Sequence, residues 1–167
     1  MQHVFWLRAN QIAGRVGPDT QPWNLVQFAD AGITHVISVN DGRLVHAEDF
    51  SAIGIEYRNI PFSPNAPPRP GDMEHCLQAV PAALSFVVDA IDSGGQVLIH
   101  CTSGKDRTGL LMCAYLCLQE GYSVPAAIEE VKRVRPIALT ATDYEPFVQA
   151  LLTRLQEADN NPITGEN

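Results

Sequence analysis

Ten residues, His100-Cys101-Thr102-Ser103-Gly104-Lys105-Asp106-Arg107-Thr108-Gly109, constrain this chain more than any others. The short run Gln96-Val97-Leu98-Ile99 leads into them, and an apolar run from Leu110 to Leu118 leaves them. That pattern predicts a buried strand, a tight loop turning at Gly104 and a buried helix entered at Arg107. Backbone N–H groups converge in such a turn, and the helix N-terminus adds partial positive charge, so the loop is a cradle for an oxyanion. A cysteine on one lip and an arginine on the other convert an anion site into a reaction site.

The 167 residues suit one domain, expected over 1–159 and followed by a flexible tail at 160–167. Net charge is −8, which disfavours nucleic acid and stable membrane association, so an anion site must be locally positive through the loop amides, Lys105 and Arg107. Cys76, Cys101, Cys113 and Cys117 make no disulfide framework; Cys113 and Cys117 read as small core residues. No metal-ligand spacing and no cofactor motif is present. The N-terminal residues lack a basic region followed by a long apolar stretch, and no apolar run reaches the ~18 residues of a membrane span. A reducing, cytoplasmic setting is the expectation.

Elsewhere, strands are predicted at Val4 to Leu7, Gln11 to Val16, Ile33 to Val39 and Ile55 to Ile60, with short helices over 22–30 and 44–52. Five prolines within residues 61–70 make a stiff, extended loop. Helices follow over 72–92, 108–119, up to Arg133 after a Ser123 cap, and over 142–158. Strands alternating with helices predict an α/β fold with a central, mostly parallel sheet flanked by helices. Trp6 and Trp23 read as packing residues near the sheet edge, and Arg69 as a solvated charge.

In the loop, the nucleophile is a thiolate, which a helix N-terminus and a neighbouring guanidinium favour. Arg107 offers a planar fork for two phosphate oxygens, and pre-aimed donors stabilise the charge that spreads in the transition state. Thr102 through Thr108 then form the phosphate-binding segment, with Cys101 and Arg107 catalytic. Attack yields a phosphocysteine that water hydrolyses. Thr108 is placed to donate its hydroxyl to the sulfur, and His100 orients the loop rather than acting as a base.

His-Cys, five residues, then Arg-Thr resembles the signature of the protein tyrosine and dual-specificity phosphatases. Ala13-Gly14-Arg15, Gly32 to Ile37, Ile60-Pro61-Phe62 and Val131 to Pro136 are similar to segments of the small dual-specificity enzymes, so the resemblance spans residues 10 to 155. The Gly-Lys-Asp-Arg-Thr variant resembles bacterial tyrosine and lipid phosphatases, and its Asp-Arg-Thr part resembles myotubularins. The resemblance implies a phosphotyrosine-phosphatase-like fold, no metal and phosphate monoester hydrolysis.

It also implies an acidic residue on a mobile loop before the cysteine, and there this chain departs: Pro64 stands at that place. Asp106 is the first alternative, as myotubularin-like enzymes are thought to keep their acid in the loop; its other reading is a loop-stabilising carboxylate. Asp72 has suitable spacing but also reads as an ordinary helix start. Asp41, at a strand end, is the third candidate.

A Walker nucleotide loop is excluded because Ile99 and Asp106 occupy the positions of its glycine and its serine or threonine. Rhodanese-type sulfur transfer and a phosphate-binding module without turnover remain competitors. For substrate, phosphotyrosine with dual specificity for phosphoserine and phosphothreonine ranks above phosphoinositides, inositol phosphates or other small phosphomonoesters. Lys105 could take a second phosphate, but Thr102 is uncharged where lipid-directed relatives often carry lysine. Thr140 or Thr142 is expected to brace the loop or position water. Oligomeric state is not legible in the sequence.

Overall fold

A computed structural model describes residues 1–161, so six residues of the tail expected at 160–167 lie outside the described residues. The strands are β1 (Val4–Arg8), β2 (Ile12–Val16), β3 (His35–Ser38), β4 (Glu56–Asn59) and β5 (Val97–Cys101). They form one sheet in the order β1-β2-β5-β3-β4. β1 and β2 are an antiparallel hairpin, while β2, β5, β3 and β4 run parallel. β5 is the middle strand and all five of its residues are buried, which accounts for its unbroken apolar run.

Two short helices, α1 (Leu25–Asp30) and α2 (Ala47–Ser51), cover one face, where Phe28, Val36, Phe50, Ile55 and Leu98 pack together. Four longer ones cover the other: α3 (Asp72–Asp92), α4 (Asp106–Gln119), α5 (Val124–Val134) and α6 (Tyr144–Asn160). Ile37, Ile99, Val80, Leu84, Leu110, Leu111, Val148 and Leu152 belong to the larger core on that side. α4 is buried at every position from Asp106 to Ala114, because it is packed against α3, α5, α6 and the sheet at once. Ser123 caps α5 by accepting the Ala126 N–H at 3.3 Å.

Three helix starts fall later than the sequence expectation, each for a local reason. α1 begins at Leu25 because Gln21 and Pro22 turn their carbonyls to the Arg15 guanidinium and Trp23 donates its indole N–H to Val16. The expected helix over 44–52 is split into a 3₁₀ turn (Gly42–Leu44) and α2, since His46 is extended, with φ −96° and ψ 108°. α6 starts at Tyr144, after Asp143 turns left-handed at φ 57°. Among the described residues, no helix is long and apolar enough to cross a membrane, and no cluster of three or more His, Cys, Asp or Glu is placed to hold a metal ion. The parallel strands end along one edge at Val16, Cys101, Ser38 and Asn59, the edge where open α/β sheets form their ligand crevice.

Candidate active site

Cys101 closes β5 at this edge and Asp106 opens α4, so residues 102–105 are the turn between them. The turn is pressed against backbone on two sides. Gly104 has φ 60°, and a Cβ there would stand 2.7 Å from the Arg15 backbone. Gly17 donates its N–H to Thr102 at 3.0 Å, and a Cβ on it would stand 2.7 Å from the Cys101 carbonyl oxygen.

The carbonyls of Thr102, Ser103 and Gly104 are held from outside the turn. Thr20 Oγ1 donates to Thr102 O at 2.9 Å, Arg135 Nη2 to Ser103 O at 2.9 Å and Arg135 Nε to Gly104 O at 3.2 Å. In a trans peptide the N–H points opposite to the C=O, so the N–H groups of Ser103, Gly104 and Lys105 face the concave side of the loop. That orientation is what an anion cradle requires.

Cys101 is buried, and its Sγ accepts a hydrogen bond from Thr108 Oγ1 at 3.1 Å. Arg107 is aimed by Nε, which donates to Ser63 O at 3.0 Å, and by the Tyr144 ring, whose centroid lies 4.9 Å from the guanidinium carbon. Burial holds the Tyr144 phenol well above its ordinary range, so it stays neutral beside the guanidinium. Arg107 Nη2 is buried without a hydrogen-bond partner among the described residues, a donor on the same helical turn as the thiol's Thr108. His100 lies fully buried, edge-on to Trp23 at 4.5 Å, with Nδ1 3.2 Å from the Cys101 carbonyl. Burial pushes its ring down to about 4, so it is neutral near pH 7.

The three candidate carboxyl groups stand in different surroundings. Asp106 is 4% exposed; its Oδ1 accepts the Ala141 N–H at 3.2 Å, and its Oδ2 lies 3.3 Å from Lys105 Nζ and 4.0 Å from Arg107 Nη1. Lys105 Nζ also donates to Thr140 Oγ1 at 3.0 Å, so Thr140 rather than Thr142 braces the loop. Asp72 accepts from Arg69 N at 2.6 Å and from Asn65 Nδ2 at 3.0 Å. Burial opposes its charge, but these bonds prevail and hold its carboxyl below the usual range. Asp72 therefore ties the proline loop to α3. Asp41 is left-handed at φ 66°, with Oδ2 buried near Gly17 and without a partner among the described residues. Pro64 is exposed, next to the Ser63 carbonyl that holds Arg107.

Several residues at the site carried no sequence signal of their own. Arg135 stood only within the Val131 to Pro136 segment and Tyr144 only within the helix expected over 142–158, and Ser63 contributes only backbone. Trp23 stands against the signature histidine as well as within the core near the sheet edge.

The profile described as "Dual specificity phosphatase, catalytic domain" matches residues 19–151. The chain belongs to this family. It is 33% identical over 124 residues to dual specificity protein phosphatase 26 of Mus musculus, a match covering 72% of this chain and 54% of that protein. Dual specificity protein phosphatase 1 of Arabidopsis thaliana is 33% identical over 76 residues, covering 46% of this chain and 38% of the relative. The chain thus spans about half or less of these relatives' lengths. Among solved structures, the active form of Tk-PTP superposes with a TM-score of 0.74 at 20% identity, covering 93% of this chain and 97% of the other. PTPMT1 in complex with PI(5)P gives 0.73 at 14% identity, covering 93% and 98%. A human tyrosine phosphatase-like serine/threonine/tyrosine-interacting protein gives 0.74 at 16%, covering 96% and 100%. At these identities the superpositions establish the dual-specificity phosphatase fold alone.

Proposed function

We propose that this chain hydrolyses phosphate monoesters through a phosphocysteine, acting on phosphotyrosine in proteins with dual specificity for phosphoserine and phosphothreonine. One observation carries the reading: Cys101 Sγ, bonded to Thr108, shares a loop with a buried Arg107 nitrogen that has no hydrogen-bond partner among the described residues. The phosphate oxygens are received by Arg107 and by the inward N–H groups of residues 102–108. Cys101 Sγ attacks phosphorus as the P–O ester bond breaks, and the departing oxygen takes its proton from Asp106. Water then attacks the phosphocysteine, its proton returning to Asp106. Inorganic phosphate leaves, and the thiolate is stabilised by the Thr108 hydroxyl. The four cysteines are free thiols, in keeping with a reducing, cytoplasmic setting.

A single phosphate is favoured because Lys105, the residue available for a second one, is engaged by Asp106 and Thr140. The test is a panel of phosphopeptides, phosphoinositides and small phosphomonoesters with kcat/KM for each, alongside Cys101→Ser. Turnover of phosphotyrosine peptides, lost in Cys101→Ser with trapping of phosphocysteine in the wild type, is expected. A tenfold preference for a phosphoinositide would overturn the substrate order. If wild type and Cys101→Ser bind phosphate alike and neither turns over, the chain is a phosphate-binding module. For the acid, Asp106→Asn is expected to slow poor leaving groups about 10²-fold while sparing p-nitrophenyl phosphate; Asp72→Asn and Asp41→Asn are the comparison. Full activity of Asp106→Asn on the poor leaving group would refute its assignment.

A further inference from the structure

Behind the catalytic loop a line of polar side chains crosses three adjacent strands. Tyr57 on β4 and Ser38 on β3 bring their hydroxyls within 2.6 Å, and the same Ser38 Oγ is hydrogen-bonded to His100 Nε2 on β5. Ser38 and His100 have no exposed surface. Such a chain through a sheet core is retained only if every member is satisfied.

The direction of each bond follows by elimination. The Cys101 carbonyl can only accept, so His100 Nδ1, 3.2 Å away, carries a proton. The ring is neutral, so Nε2 is a bare lone pair and must receive the Ser38 O–H. Ser38 has then used its one proton and accepts from the Tyr57 O–H. The line reads Tyr57 to Ser38 to His100 to the carbonyl of the nucleophile's own peptide.

We propose that Ser38 and Tyr57 are positioning residues for Cys101: they hold His100 as its Nδ1–H tautomer, and through it hold the Cys101 carbonyl turned away from the loop. The inference rests on the reading of Cys101 as nucleophile. In the other tautomer two lone pairs would face each other across the 3.2 Å between Nδ1 and the carbonyl, and that peptide would have to rotate. Trp23 stands edge-on to the ring, and a Cβ on Gly17 would lie 3.4 Å from its Nδ1, so both neighbours crowd it in place. Stacking of Tyr57 on Phe50, with centroids 5.3 Å apart and planes at 10°, keeps the phenol in line. The charged groups around the ring are Arg15 from β2, which together with burial favours the neutral form, and Asp41 after β3, whose Oδ2 lies beyond Gly17. Neither hydrogen-bonds to it.

The test combines ¹⁵N NMR of His100 in the full chain with steady-state kinetics on p-nitrophenyl phosphate. The wild type is expected to show protonated Nδ1, unprotonated Nε2 and no titration between about pH 5 and 8. Ser38→Ala is expected to mix the tautomers and lower kcat about tenfold, the effect of one lost hydrogen bond, with KM within about twofold. Tyr57→Phe, which keeps the ring stack, is expected to lower kcat about threefold in the same way and serves as the readout if Ser38→Ala does not fold. A wild-type Nε2–H tautomer, or full kcat in both variants of an active enzyme, overturns the proposal. If the wild type shows no turnover but the tautomer shifts in the variants, the phosphatase reading fails while the hydrogen-bond line stands, and its link to a nucleophile falls with that reading.

Discussion

The floor of the catalytic loop and its rim are built by different means. The floor is packed: Gly17 and Gly104 bring backbone against backbone, and His100, Ser38 and Thr108 have no exposed surface. The rim, residues 61–72, is a proline loop with most residues exposed or half-exposed, tied down by the bonds of Asp72 to Arg69 and Asn65. Its bond to Arg107 is a backbone carbonyl, that of Ser63. Packing thus holds the groups proposed to attack and bind phosphate, where small displacements are costly. The rim, where family resemblance expects the acid, carries Pro64 and no carboxylate before Asp72.

Arg107 spans both regions, so its replacement is expected to have the largest effect. Lysine cannot keep the Nε bond to Ser63 while also presenting a fork to phosphate. Arg107→Lys should lower kcat/KM by about 10³-fold, or about 4 kcal/mol. Steady-state kinetics within tenfold of wild type would mean that the rim contact does not aim the clamp.

The next effect belongs to the floor alone and is read in stability. Burial lowers His100 from 6.5 to about 4. Above pH 6.5 the ring is neutral in both the native and unfolded states. As pH falls from 6.5 to about 4 only the unfolded chain gains this proton, so native stability drops by up to about 3 kcal/mol and then levels off. Urea unfolding across that window should show the drop in wild type and lack it in His100→Asn. An equal slope in both proteins would remove His100 as its source.

This division also explains what could be read in the sequence. Cys101, Arg107, Thr108 and the strand–turn–helix that carries them are contiguous, and local periodicity with one glycine encodes them. The parallel sheet was legible for the same reason, from apolar runs such as Val97 to Ile99. What holds the loop comes from distant segments: Arg135 on its carbonyls, Trp23 and Ser38 on His100, Ala141 on Asp106. Ser38 within an apolar strand and Arg135 before a proline have no pattern that distinguishes them from a tolerated polar residue and a helix end. Ser38 is brought to His100 by the sheet order, with β3 beside β5, and Arg135 reaches the loop from the end of α5.

A smaller effect is expected from the glycine at the floor's edge. The Cβ of Gly17→Ala would meet the Cys101 carbonyl, which is backbone and cannot swing aside. Overpacking of this kind costs about 1–3 kcal/mol, and part of it should appear as a kcat about tenfold lower, roughly 1.4 kcal/mol. Phosphate-ester kinetics on a folded Gly17→Ala protein measure this. Unchanged kcat with lowered stability would assign Gly17 to packing and leave the loop geometry insensitive to it.

Furthest from both regions is Glu130 on α5, 3.1 Å from Arg8 of β1 and 2.9 Å from Arg133. The Arg133 hydrogen bond, opposed by burial and joined by Arg8, holds its carboxyl at about 2 against an ordinary 4.5. Its stabilisation is therefore full above pH 4.5 and is lost as pH falls toward 2. Solvent at this partly exposed cluster limits the contribution to about 1 kcal/mol or less. Glu130→Gln should lower stability by that amount at pH 7 and leave kcat unchanged, measured by urea unfolding and steady-state kinetics. α5 also leads to Arg135, which holds the carbonyls of Ser103 and Gly104. A fall in kcat in Glu130→Gln would therefore mean that the ion pairs of α5 reach the loop through Arg135, and the floor would have to include that helix.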